Sequence, residues 1–278
     1  MEEHGQNKEE LRRKKQDLEE CVGDAVKQGV CIAFSGGVDS TLLLTVASRQ
    51  QKQFGGTVYG VMFDTFLHEK GEEAEARKLA LECGADFAVI YVNELDNPAI
   101  LNNPKDRCYH CKHFLFSNLK AFANAHGCSL VMDGTNADDI KAYRPGLKAL
   151  EELGVMSPLK TLGISKAQVR ALADRYDISV ASKPSNSCLA TRLPYGARLE
   201  TPILEKIAAG EAYLKSMGFR SVRIRFYDPV TRIEVEKSQI PVFVNMREDI
   251  VNRLKELGFV YVTLDLEGFR SGSMDLVD

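Results

Sequence analysis

Three stretches of the chain combine residue types at spacings that chemistry requires. The first is Ser35-Gly36-Gly37-Val38-Asp39-Ser40, followed by Thr41, between a short apolar run and a helical pattern. Two glycines let the backbone turn sharply and bring its N–H groups against a ligand. The hydroxyls of Ser35, Ser40 and Thr41 stand beside the unpaired N–H groups of a helix N-terminus, where the dipole favours an anion. The chemistry is phosphate binding. A plain strand–helix turn is the simpler alternative, but it does not explain hydroxyls and a carboxylate packed into so short a loop. No Gly-Lys-Ser/Thr follows and the glycines are not spaced as G-x-G-x-x-G, so it is neither a Walker A nor a dinucleotide loop. Asp39 in a phosphate cradle implies Mg2+ between carboxylate and anion.

The second stretch, Asp133-Gly134-Thr135-Asn136-Ala137-Asp138-Asp139, ends one strand pattern and opens a helix. Open α/β sheets bind ligands at this end of their strands. Capping explains Asn136 but not the adjacent carboxylates, so Asp138 is a candidate nucleotide or Mg2+ contact. The third set is the thiols Cys21, Cys31, Cys83, Cys108, Cys111, Cys128 and Cys188. An odd number after a charged opening stretch with no apolar core predicts reduced thiols in a cytoplasmic protein. Cys108-Tyr109-His110-Cys111 reads as a loop before a helix, and its thiols can chelate one metal or cluster or act as a redox pair. Zinc needs four ligands, and His113 is a poor candidate to supply another. Cys188 lies among small polar residues near Lys183 and Arg192, where a thiolate is favoured. Cys31 falls in a buried strand and Cys21, Cys83 and Cys128 at element ends, where packing accounts for them.

The elements that must position these groups follow from periodicity. Val30–Phe34 is a continuous apolar run, the pattern of a strand buried on both faces. Further strands are expected at 57–63, 86–92 and 129–132, with helices at 11–26, 40–50, 72–83, 110–126 and 165–176. This alternation specifies an α/β fold with a doubly wound parallel sheet. From Lys183 to Pro202 the chain loses periodicity and is rich in Pro, Ser and Gly, as at a domain junction. A helix at 202–217, alternating strands at 222–226 and 231–236, a helix at 245–257 and a strand at 259–264 make a smaller C-terminal α+β domain. The division is 1–192 and 193–278. Arg223 and Arg225 alternate on one strand, so both guanidiniums share a face suited to an anionic substrate. The alternative for them is a solvated face with cross-strand partners such as Glu234.

With 278 residues, 44% hydrophobic and 27% charged, the composition is that of an ordinary globular protein. No apolar run approaches the roughly 20 residues that span a bilayer, so no membrane partner is expected. A net charge of −3 argues against general nucleic-acid binding.

The loop SGGVDS resembles the PP-loop of the ATP pyrophosphatase superfamily, which transfers AMP from ATP and releases pyrophosphate. The resemblance implies that Ser35, Gly36, Gly37, Asp39, Ser40 and Thr41 form the pyrophosphate site, with Asp39 and Ser35 in catalytic roles. Adenine then lies against Met62 and Phe63, and Asn136 and Asp138 complete the nucleotide site. Taken together, SGGVDS, CYHCK, GTNADD, YRPG, KPSNSCLATRLPYG and GFRSGSMD are similar to the LarE family of ATP-dependent sulfur transferases. The motifs are spread over nearly the whole chain. That family adenylates a carboxylate of pyridinium-3,5-biscarboxylic acid mononucleotide and converts it to a thiocarboxylate for a nickel-pincer nucleotide cofactor. The resemblance gives Cys188 the central role in sulfur delivery. In single-cysteine members that residue surrenders its own sulfur; with Cys108 and Cys111 also present, the resemblance implies a 4Fe-4S cluster on all three thiols, supplied by a sulfide donor. It places substrate phosphate on Arg223, Arg225 and Arg270, with Glu211 and Glu234 as site carboxylates, in a homo-oligomer, often a hexamer. A tRNA thiolase with an iron–sulfur cluster, an amide-forming enzyme, a nucleotide-binding regulator and sacrificial use of Cys188 are the competing readings.

Overall fold

Val30–Ala33 forms β1, and its alternation divides the first part of the molecule into two apolar cores. Val30 and Ile32 belong to one core and Cys31 to the other. The computed structural model describes residues 2–68, 73–141, 145–178 and 188–270. The motif residues Tyr143, Arg144, Lys183–Ser187 and Ser271–Asp278 lie outside them. The chain divides into two compact units, Met1–Asn97 with Cys108–Asn186, and Pro98–Arg107 with Ser187–Asp278.

In the first unit, α1 (Glu2–Val26) precedes β1, followed by α2 (Val38–Phe54), β2 (Val58–Thr65), α3 (Glu73–Cys83) and β3 (Asp86–Val92). Then come α4 (Arg107–Ala125), β4 (Leu130–Met132), α5 (Gly146–Glu152), α6 (Pro158–Thr161) and α7 (Lys166–Arg175). The four strands are parallel in the order β3-β2-β1-β4. Leu42, Leu43, Leu44, Val46 and Ala47 make α2 apolar around most of its circumference, so it lies buried between the sheet and α1, α3 and α7. Leu115, Leu119 and Ala123 of α4 and Leu150 of α5 fill the opposite core. Each fully buried leucine contributes about 1.5–3 kcal/mol of transfer free energy. The parallel, doubly wound α/β sheet is as the apolar pattern predicts.

Two local readings change. The Cys108–Cys111 segment is the first turn of α4, not a loop before it. Asp106, a cap-forming residue type, stands immediately before the helix. The helix expected over 245–257 is α10 (Arg247–Glu256), but an additional short helix that the periodicity does not mark, α9 (Ile240–Asn245), precedes it, with Pro241 in its first turn, where the missing N–H costs nothing.

The second unit holds α8 (Thr201–Ser216), β5 (Arg223–Tyr227), β6 (Val230–Glu234), α9, α10 and β7 (Tyr261–Leu264). Its sheet order is β5-β6-β7, an antiparallel hairpin joined by a parallel strand. A Cβ at Gly210 would stand 2.6 Å from Ile224 Cδ1, so glycine is what lets α8 pack close on β5. Residues 98–107 and 187–192 pack with this unit rather than with the domain preceding them in sequence. Asn103 is buried, and its side-chain amide donates to the carbonyls of Ala190, Leu193 and Pro194 at 3.3, 3.1 and 2.8 Å. The Leu199 N–H adds a bond to the Leu101 carbonyl at 2.7 Å. One asparagine thus satisfies three carbonyls from a turn far along the chain, within the same unit.

Candidate active site

A cavity of about 420 Å3 opens at the carboxyl ends of β1, β2 and β4. The sheet runs outward from β1 through β2 to β3, then returns to place β4 on the other side of β1. A crevice at that reversal is where open α/β sheets bind ligands. Ser35, Asp39 and Ser40 form one wall, Met62 and Phe63 a second, and Asp133, Gly134, Thr135 and Asp139 a third. Leu115 and Phe116 of α4 close the apolar side.

The phosphate-cradle geometry is built locally. Gly36 adopts φ 70°, and Gly37 caps α2 with no side chain to satisfy the helix N–H groups. The Ser40 hydroxyl donates to the Gly37 carbonyl at 3.0 Å, and the Ser35 and Ser40 hydroxyls lie 3.3 Å apart. Thr41 Oγ1 is buried without a hydrogen-bond partner among the described residues. A buried hydroxyl of this kind costs about 1–3 kcal/mol. It fits a site whose acceptor is a ligand oxygen. A Cβ on Gly134 would come 3.1 Å from the Ser40 backbone nitrogen, a tight approach that glycine relieves where the β4 loop meets the cradle.

Asp39 Oδ1 accepts from Asn136 Nδ2 at 3.2 Å, and Asp39 Oδ2 is ion-paired with Lys166 Nζ. Asn136 thus joins the cradle through Asp39 and does not line the cavity. Asp138 accepts the Lys166 N–H at 2.8 Å and anchors the first turn of α7. Asp133, buried at the end of β4, accepts from Ser157 Oγ at 2.5 Å and from the Thr135 hydroxyl. Lys166 carries no motif signature. Only its place after Ser165, which forms a capping box with Gln168, marks it in the sequence as the opening of a helix.

Beyond β2, His68 lines the cavity, and its Nδ1 lies 2.7 Å from Thr65 Oγ1 and 3.3 Å from Glu94 Oε1. Glu94 is fully buried, and its Oε2 accepts the Leu67 N–H at 3.2 Å. Burial pushes the Glu94 carboxyl up, but the bonds from His68 and the backbone N–H groups outweigh it and hold it below the usual carboxylate range. A carboxyl depressed in the folded state adds stability above its unfolded pKa and loses it as pH falls through the folded value. Glu94→Gln therefore lowers stability at neutral pH, and the gap from wild type narrows in acid. Denaturant midpoints at both pH values check this.

In the second unit, Cys188 precedes the short 3-10 turn Leu189–Arg192. Its carbonyl accepts from Thr191 Oγ1 at 2.7 Å and Arg192 Nη1 at 3.4 Å. Arg192 forks onto Glu211 at 2.7 and 2.9 Å, and Glu211 also accepts the Ile224 N–H at 2.8 Å. Arg225 bonds the Thr191 carbonyl through Nη1 and meets Glu234 through Nε at 3.2 Å. Glu234 also pairs with Arg232 at 3.1 Å. The turn bearing Cys188 is thus tied to a buried charge cluster. Arg223 and Arg225 are 8% and 5% exposed, so this strand face is not solvated. Burial and the neighbouring Arg192 push the Arg223 guanidinium down. Arg192, Arg223, Arg225 and Arg232 thus gather around the described carboxylates Glu211, Glu234 and Asp265, and guanidiniums grouped in this way suit a phosphate. Arg270 pairs with Glu267 at 2.7 Å and Asp265 at 3.7 Å. Removing one partner of a buried ion pair costs about 3–5 kcal/mol. Glu211→Ala should lose that much in chemical denaturation, because Arg192 is left buried beside other guanidiniums.

Cys108 is exposed and Cys111 half-buried, three residues apart on one helix, so they share a face at its N-terminal turn. Cys188 belongs to the other unit. Among the described residues no three His, Cys, Asp or Glu side chains are grouped as a metal site. Burial pushes the thiols of Cys21, Cys31, Cys83 and Cys128 up, which leaves them as packing groups.

A model of the PP-loop domain matches residues 10–98, which include the Ser35–Thr41 cradle. Pyridinium-3,5-bisthiocarboxylic acid mononucleotide synthase of Lactiplantibacillus plantarum is 38% identical over 248 residues, 89% of this chain and 89% of that one. The chain belongs to the LarE family. An uncharacterized protein of Synechocystis sp. aligns with this LarE chain at 37% identity over 269 residues, 96% of this chain and 98% of the other. NMN synthetase from Francisella tularensis is similar in structure over 63% of this chain and 75% of its own, at 16% identity and a TM-score of 0.47. Membership makes this LarE chain an ATP-dependent sulfur transferase, and its PP-loop is an ATP-binding element. No helix among the described residues is long and apolar enough to cross a membrane.

Proposed function

We propose that the enzyme adenylates a carboxylate of pyridinium-3,5-biscarboxylic acid mononucleotide and replaces it with a thiocarboxylate. The observation that carries this reading is the cavity at the β1–β4 crevice, walled by a cradle of N–H and hydroxyl donors, in a chain of the LarE family. The substrate carboxylate oxygen attacks the α-phosphorus of ATP, the bond to the bridging oxygen breaks, and pyrophosphate leaves. The N–H groups at the start of α2, with Ser35, Gly36, Gly37, Ser40 and Thr41, stabilise the charge that develops on it. Asp39 would hold Mg2+, which would supply further charge stabilisation to the leaving pyrophosphate. Met62 and Phe63 seat adenine, while Asn136 and Asp138 brace the cradle through Asp39 and Lys166. Sulfur then attacks the acyl carbon and AMP departs. Arg223, Arg225 and Arg270 bind the substrate phosphate; Glu234 orients Arg225, and Glu211 orients Arg192 and, with it, the Cys188 turn.

For sulfur delivery the donor set is Cys108, Cys111 and Cys188, and soft thiolates paired on one helix face fit iron. Cys108, Cys111 and Cys188 would hold a 4Fe-4S cluster, and the chemistry it would supply is an additional sulfide for the activated acyl group, from an external sulfide donor. The same family reading gives a cytoplasmic homo-oligomer, a hexamer. The test of the sulfur branch is anaerobic reconstitution followed by iron analysis and visible absorption. Iron and a broad charge-transfer band are expected in the wild type and lost in Cys108→Ala, Cys111→Ala and Cys188→Ala. Protein without iron, whose intact mass shows Cys188 converted to dehydroalanine after turnover, overturns the cluster in favour of sacrificial sulfur.

A further inference from the structure

The His68–Glu94 pair is not accounted for by adenylation, because a carboxylate nucleophile carries no proton to remove. It is nevertheless built at the cost of a fully buried carboxyl. Ionised Glu94 can only accept, so the nitrogen 3.3 Å from it is consistent with a donor, Nδ1–H, shared with Thr65 Oγ1 at 2.7 Å. In the neutral ring the partner of one nitrogen sets the state of the other. Nε2 is then a lone pair, the ring nitrogen left for a ligand of the cavity that His68 lines.

The surroundings define what that lone pair meets. The PP-loop end of the cavity offers donors to phosphates, and Met62, Phe63, Leu115 and Phe116 offer apolar surface to a base. The stretch beyond Phe63 adds the Asp64 carboxylate to the same wall. Two acceptors side by side suit a vicinal diol and repel a phosphate. We infer that His68, fixed by Glu94, is a positioning residue that accepts a hydrogen bond from a ribose hydroxyl of the bound nucleotide, alongside Asp64. This rests on the ATP reading of the cavity and deepens it.

Calorimetry on the full chain with ATP, 2′-deoxyATP, 3′-deoxyATP and ITP tests it. The wild type is expected to bind ATP about tenfold more tightly than at least one deoxy analogue, the effect of one hydrogen bond. His68→Ala abolishes that preference without changing affinity for the deoxy analogue, and His68→Gln, which keeps an acceptor, restores part of it. The ATP-to-ITP ratio stays constant throughout. Nitrogen-15 spectra of the neutral ring place its proton on Nδ1 in the wild type, and Glu94→Gln mixes the tautomers. The inference is overturned if His68→Ala leaves the sugar preference intact or if the ITP ratio moves instead. A proton found on Nε2 overturns it as well. Absence of any ATP binding by the wild type sinks the ATP reading together with it, whereas tight binding without sugar preference sinks this inference alone.

Discussion

Asp39→Asn should lower ATP- and substrate-dependent pyrophosphate release by about 10²–10³-fold while leaving the thermal midpoint close to wild type. The carboxylate sits where the cradle meets the β4 loop, bonded to Asn136 at 3.2 Å and ion-paired with Lys166. The amide keeps the shape and can still accept from Asn136, so the loop stays in place. What it loses is the charge that draws Mg2+ onto the leaving pyrophosphate. The deficit should therefore lie in turnover more than in ATP affinity. Separate determinations of kcat and of nucleotide dissociation resolve the two. A variant that binds ATP far more weakly but turns over normally would place Asp39 in ground-state binding only.

Cys188→Ala separates the two half-reactions. Thiocarboxylate formation should fall at least about 10³-fold, the scale of losing a group that takes part in the chemistry. Pyrophosphate release on adding substrate should persist through a first turnover, because the cradle belongs to the other unit and contains no cysteine. The substitution leaves the Cys188 carbonyl to accept from Thr191 and Arg192 as before. Rapid-quench measurement of pyrophosphate and product on one sample distinguishes this outcome from a general loss of folding.

How far these sites can be read from sequence depends on how local their physics is. The strand Val30–Ala33 and the helix after it are specified by a continuous apolar run, two glycines and a leucine-rich segment, all within a few turns of chain. The phosphate cradle is legible for the same reason. The first turn of α4 is less so. Cysteine, tyrosine and histidine favour helix weakly, and a preceding Asn-Asn-Pro reads as loop, so the shared helix face of Cys108 and Cys111 appears only in the fold. Lys166 meets Asp39 across 127 residues and Glu94 meets His68 across 26, and no periodicity encodes either pair. Arg223 and Arg225 alternate visibly, yet their burial against Glu211 and Glu234 depends on α8 closing over β5 at Gly210. The excursion of Pro98–Arg107 into the second unit is likewise a matter of buried carbonyls seeking a donor, which Asn103 supplies.

The most direct test of the account is one reaction followed by two readouts. Anaerobically reconstituted enzyme is mixed with ATP, Mg2+, sulfide and pyridinium-3,5-biscarboxylic acid mononucleotide, and pyrophosphate and product mass are measured together. The account predicts a product in which sulfur replaces a carboxylate oxygen, with one pyrophosphate released per sulfur incorporated. Pyrophosphate released without sulfur in the product, or sulfur incorporated without pyrophosphate, would contradict it.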